Sequence, residues 1–71
     1  MTTPDIAAVA RGMDQMQRRA VLVARWDGDG FLMPRGIRGL CQNGVCRRSV
    51  FGIYLSEIGL AVRAYLENDH A

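Results

Sequence analysis

Arg35-Gly36-Ile37-Arg38-Gly39-Leu40-Cys41-Gln42-Asn43-Gly44-Val45-Cys46-Arg47-Arg48 holds the choice between a helix and a hairpin at the centre of the chain. Pro34, just before it, suits the first turn of a helix, where its missing N–H costs nothing. Ile37, Leu40 and Cys41 recur at helical spacing, with Arg35, Arg38 and Gln42 on other faces. This predicts a helix from Pro34 to Asn43, weakened at Gly36 and Gly39 by about 1 kcal/mol each relative to alanine. Gly44 would end it in the left-handed cap position. The same Asn43-Gly44 pair is also the strongest two-residue hairpin signal. In that case Cys41 and Cys46 form a cross-strand pair, close enough for a disulfide. The helix explains both Pro34 and the apolar spacing and is preferred; the hairpin stays open.

Working toward the N-terminus, Phe31-Leu32-Met33 reads as a brief strand, and Asp27-Gly28-Asp29-Gly30 as a turn. The turn resembles the start of a calcium loop, but the later ligand positions hold Phe31, Leu32 and Met33, so calcium is not expected. Before it, Ile6, Val9, Met13, Met16, Ala20 and Val23 mark one apolar stripe of a helical segment reaching about Trp26. This segment is expected to break or bend near Gly12. Asp14 with Gln17 three residues on has the form of a capping box, where a second helix can start. Thr3-Pro4-Asp5 supplies a start for the first part, with Thr3 as the cap. Residues 1–13 then form a helical extension. Met13, Met16 and Trp26 are read as core residues.

Toward the C-terminus, Val45 to Arg48 and Phe51 to Leu55 read as two strands joined tightly through Ser49-Val50. Phe51, Ile53 and Leu55 alternate with Gly52 and Tyr54 at the period of a half-buried strand. Ser56 is a helix N-cap with Glu57 in the first turn. Ile58, Ala61, Val62, Tyr65 and Leu66 make the buried side of a closing helix, and residues 67–71 a frayed tail.

The whole is one small α+β domain. Its 71 residues leave room for one thin core, and 49% hydrophobic with 23% charged residues is a globular composition. No apolar run is long enough to span a bilayer and no signal peptide is evident, so no membrane partner and a cytoplasmic location are expected. Two cysteines are too few for a disulfide framework and are expected reduced. The net charge is only +2, yet all nine basic residues are arginine, and no acid lies between Asp29 and Glu57. A basic patch on a nearly neutral protein suits a polyanionic partner.

In order and spacing, the segment from Arg35 to Arg48 resembles the end of the recognition helix and the start of the wing in bacterial and phage winged helix-turn-helix regulators. Leu40, Gly44, Val45 and Arg47 carry that likeness. Tyr54-Leu55-Ser56-Glu57-Ile58-Gly59 resembles the junction between the last wing strand and the closing helix, with Gly59 letting that helix pack closely. The resemblance covers roughly residues 14 to 66. It implies a winged-helix-like domain, ordered helix, short strand, helix, two-stranded wing, helix. The helix that usually precedes the recognition helix is absent or reduced to a turn, because only about twenty residues separate Trp26 from Arg47.

The resemblance further implies a small DNA-binding transcriptional regulator able to pair as a homodimer, with the Pro34–Asn43 helix in the major groove. Arg35, Arg38 and Gln42 would face bases or phosphates, and Arg47 and Arg48 the backbone. The competing expectation is a protein-binding accessory or inhibitory factor, such as a phage protein that blocks a host machine. It would meet an acidic or nucleic-acid-binding protein surface. Cys41, Cys46 and His70 lack zinc spacing and a fourth ligand, so no metal or cofactor is expected. His70 lies in the tail and no serine has an evident base, so catalysis is not expected.

Overall fold

The computed structural model describes residues 5–37, 39–41 and 43–69, Asp69 by its backbone alone. Helices α1 (Ile6–Arg11) and α2 (Gln15–Val23) come first. Strands β1 (Arg25–Trp26), β2 (Phe31–Leu32), β3 (Cys46–Ser49) and β4 (Gly52–Leu55) follow, and α3 (Glu57–Asp69) closes the chain. The sheet is antiparallel in the order β1-β2-β4-β3. Three helices and a small antiparallel sheet make the expected α+β domain, consistent with a small winged-helix-like fold.

The N-terminal helical segment is two helices. Gly12 caps α1, and α2 restarts through the capping box. The Gln17 N–H donates to Asp14 Oδ1 at 2.8 Å, and the Asp14 N–H donates to Gln17 Oε1 at 3.1 Å. Arg18 reaches back to the last carbonyls of α1, donating to Ala10 O at 3.2 Å and Arg11 O at 3.4 Å. The cap of α1 is Asp5, whose carboxylate accepts from the Ala8 N–H, rather than Thr3, which lies outside the described residues. The expected N-terminal helical extension is α1. It packs on α3 and buries Ala10 ahead of the buried Met13.

The restart resets the helical phase, and this corrects the expected stripe. Ala20 and Val21 face the core from α2, followed by Ala24, while Met16 is 72% exposed and Val23 points outward. The helix also ends earlier than expected. Ala24 turns extended, Arg25–Trp26 joins the sheet, and Trp26 sits exposed at its edge rather than in the core. The ring of Trp26 meets Phe31 edge-on at 5.5 Å. Arg63 of α3 secures this corner. It donates to Ala24 O at 2.8 Å, lies over the Phe31 ring at 4.4 Å and pairs with Glu67 at 3.0 Å. α3 continues through Asp69, so residues 67–69 of the expected tail are helical, and residues 70 and 71 lie outside the described residues.

The start of α3 follows the sequence reading. Ser56 Oγ accepts from the Gly59 N–H at 3.1 Å and donates to Gly44 O. Gly59 lies against the chain entering β3, where a Cβ would stand 2.1 Å from Val45 O. That carbonyl is already held by the Ser56 N–H at 2.9 Å. Helix and strand therefore approach as closely as a glycine allows.

The larger correction concerns the expected helix from Pro34 to Asn43. No α-helix forms over its described residues. Gly36 and Gly39 sit at φ 88° and 87°, a backbone hand that a right-handed helix cannot contain. Only the C-terminal cap remains. The Val45 N–H donates to Leu40 O at 3.0 Å and the Gly44 N–H to Cys41 O at 3.3 Å, the paired pattern of a Schellman motif, with Gly44 at positive φ. The Asn43-Gly44 step is thus the end of a helical turn. Cys46 pairs with Leu55, not with Cys41.

Candidate nucleic-acid interface

The described residues between Met33 and Gly44 (33–37, 39–41, 43 and 44) include a turn at Arg35-Gly36 and lie between β2 and β3 in the chain. Along the way they face one side of the β3–β4 hairpin. Two hollows of about 340 and 290 Å³ lie between them. Both are lined by Met33, Pro34, Ile37 and Ile53, so they form one groove. Arg48 lines one end, and Arg35 with Phe51 the other. No Asp or Glu lines either hollow.

The β3–β4 register explains which arginine faces this groove. Cys46 and Arg48 lie across from Leu55 and Ile53 on one side of the ribbon, while Arg47 lies across from Tyr54 on the other. Arg48 and Arg35 are exposed, and no hydrogen bond or ion pair engages either among the described residues. The hairpin tip is apolar: Val50 is 95% exposed and Phe51 76%, with the Phe51 N–H donating to Ser49 Oγ at 3.3 Å. Two unpaired guanidiniums beside an acid-free apolar groove can hold phosphates while the tip meets an apolar surface.

On the opposite side, Tyr54 is buried beneath the Asp27–Gly30 turn. Its hydroxyl donates to Asp27 Oδ2 at 2.6 Å, and the other oxygen of that carboxylate accepts from the Asp29 and Gly30 N–H groups at 2.9 and 3.2 Å. The Tyr54 hydrogen bond, aided by these backbone donors, holds the Asp27 carboxyl below its ordinary value. The same hydrogen bond to a carboxylate, with desolvation, pushes Tyr54 up to about 12. Arg47 caps the assembly, lying over the Tyr54 ring at 5.1 Å and donating to Asp29 O at 3.4 Å.

Of the residues expected to meet DNA, Arg35 and Arg48 therefore come together on one face. Arg47 is drawn to the other and is bound there. Arg38 and Gln42 lie outside the described residues. The helix meant to present them in a major groove is replaced by turns. Two participants escape the sequence reading. Val50 and Phe51, expected in a tight connection and a half-buried strand, form the exposed tip instead. Their signal is two bulky apolar residues between Arg48 and Gly52 where a turn normally carries polar ones. A second groove, of about 570 Å³, opens between Trp26 and Phe31, Gly44 and Arg47 at the β3 end of the sheet, and the first turns of α3 at Ile58 and Leu60, with Asp29 and Glu57 also lining it. Among the described residues, no three His, Cys, Asp or Glu side chains gather where a metal ion could sit, and no helix is long and apolar enough to cross a membrane. Compared with models of protein families, with curated proteins and with solved structures, the chain has no match.

Proposed function

We propose that this domain is a non-enzymatic DNA-binding module that grips the duplex backbone through the Arg35–Arg48 groove and the β3–β4 wing. The observation that carries this reading is the acid-free stretch between Asp29 and Glu57, folded so that Arg35 and Arg48 frame one groove. Both guanidiniums are free to exchange water for phosphate, which positions a protein on DNA without selecting sequence. With turns in place of a recognition helix, base selection falls to Arg35 and the exposed tip. A regulatory role in transcription rests on that selection.

A second reading has its own support. The groove beside Trp26 and Leu60 is apolar, exposed and rimmed by both charge signs, which suits a protein partner better than a phosphate backbone. The test is fluorescence anisotropy of a labelled random-sequence duplex at low and at physiological salt. Wild type is expected to bind with steep salt dependence. Arg35→Ala/Arg48→Ala is expected to bind more weakly, its slope of log affinity against log salt shallower by about 2, near one for each phosphate no longer neutralised. A folded wild-type sample that leaves the duplex free at low salt refutes the DNA reading and favours the protein partner.

A further inference from the structure

We propose that Cys41 and Cys46 are a redox modification site, forming a reversible intramolecular disulfide in the wall of the Arg35–Arg48 groove. The inference does not depend on the DNA reading. The Schellman turn reverses the chain between the two residues, Cys41 lying before the cap and Cys46 opening β3. Both are free, and both line the same hollow beside Arg48. Four residues separate them, so oxidation closes a small ring.

Their environments assign different roles. Cys41 is half-buried and open to the hollow, whereas Cys46 is buried. Desolvation, reinforced by the neighbouring Cys41, pushes the Cys46 thiol up to about 11, so it stays protonated and is slow to attack an oxidant in solution. Cys41 is the entry point. Its thiolate attacks one oxygen of hydrogen peroxide, the O–O bond breaks, and the departing hydroxide takes up the proton the thiol released, leaving as water. The Cys46 sulfur then attacks the resulting sulfenic sulfur. The S–O bond breaks, and the hydroxyl leaves with the Cys46 proton as a second water. Two thiols are oxidised, one peroxide is reduced, and two electrons pass. The bridge ties the cap at Gly44 to the strand that carries Arg48.

The full chain is treated with hydrogen peroxide, alkylated with iodoacetamide and weighed intact. The expected product is a monomer lighter than the reduced chain by two hydrogen atoms. It accepts no alkyl group until dithiothreitol restores two. Cys41→Ser, a change at the more accessible position, is expected to leave Cys46 unoxidised over the time in which wild type is fully bridged. The proposal fails if peroxide-treated wild type still takes two alkyl groups, if its disulfides join separate chains, or if it ends as sulfinic acid without a bridge. Oxidation of Cys46 in the Cys41→Ser chain at the wild-type rate would remove Cys41 as the entry point and overturn the mechanism.

Discussion

Replacing Gly59 by alanine tests how α3 is seated. The added Cβ would stand 2.1 Å from Val45 O and 3.0 Å from Leu55 Cδ2. The nearer atom is backbone and is held by the Ser56 N–H, so it cannot swing aside as a side chain would. Overpacking of this kind costs typically about 1–3 kcal/mol, and a rigid backbone neighbour places it at the upper end. Displacing the carbonyl also weakens its bond to Ser56, a loss of about 1 kcal/mol. Alanine in a helix offsets about 1 kcal/mol of this. The net expectation is a loss of about 3 kcal/mol. A chain of this size holds roughly 4–11 kcal/mol in total at the usual stability per residue. The melting midpoint should therefore fall by roughly 12–24 °C. Urea unfolding followed by far-ultraviolet circular dichroism measures the change, with the slope m required to stay constant. Gly12→Ala is the control. Gly12 has φ −76°, and a Cβ there meets nothing closer than 3.5 Å, so that variant should match wild type or gain up to about 1 kcal/mol. If Gly59→Ala were as stable as Gly12→Ala, α3 would not sit against Val45 and the close approach of helix to strand would be wrong.

Two further perturbations probe the junctions around the wing. Ser56→Ala removes the cap of α3 and its bond to Gly44 O; a loss of about 1–2 kcal/mol is expected in the same urea experiment, with Ser56→Thr recovering most of it. Tyr54→Phe should lower the melting midpoint at neutral pH and make the pH dependence flatter. The Asp27 carboxyl is held below its ordinary 3.8, so its contribution is present above that value and lost as pH falls through the lower folded value. Tyr54 is raised from 10.0 to about 12, so its contribution is intact below 10.0 and lost as pH rises toward 12. The gap between wild type and Tyr54→Phe should accordingly be level between these limits and narrow beyond each. A gap that does not narrow in acid would show that the hydroxyl does not bond Asp27.

The features legible in the sequence are those written by neighbours along the chain. The Asp14–Gln17 box, the Ser56 cap and the Asp27–Gly30 turn each depend on a few adjacent residues, and each stands where the sequence puts it; the close packing at Gly59, against Val45, is reached only through the family resemblance. The Pro34–Asn43 helix fails for a reason local spacing does not carry. Composition shows that Gly36 and Gly39 are permissive, but not the sign of φ they adopt once the segment must return to β3. The core stripe holds at Ile6, Val9, Met13 and Ala20 and fails at Met16 and Val23, because a strict run of threes and fours from Ile6 to Val23 crosses a break at Gly12, after which a new helix begins at Asp14. Trp26 is misplaced by local spacing because its strand exists only through pairing with Phe31 across the turn. The separation of Arg47 from Arg48 is within reach of the sequence, since adjacent residues of a strand face opposite sides. What the sequence hides is that Tyr54 and the turn above it claim Arg47.

Trp26 is the chain's sole tryptophan and is 65% exposed on the outermost strand, at the far edge of the sheet from β3. Its emission is therefore a built-in optical label for one edge only. A duplex seated on the Arg35–Arg48 groove should leave the emission maximum where it is. A protein covering the groove beside Leu60 would strip water from the indole and shift that maximum to the blue. The fluorescence of the unmodified chain thus tells the two surfaces apart before any residue is changed.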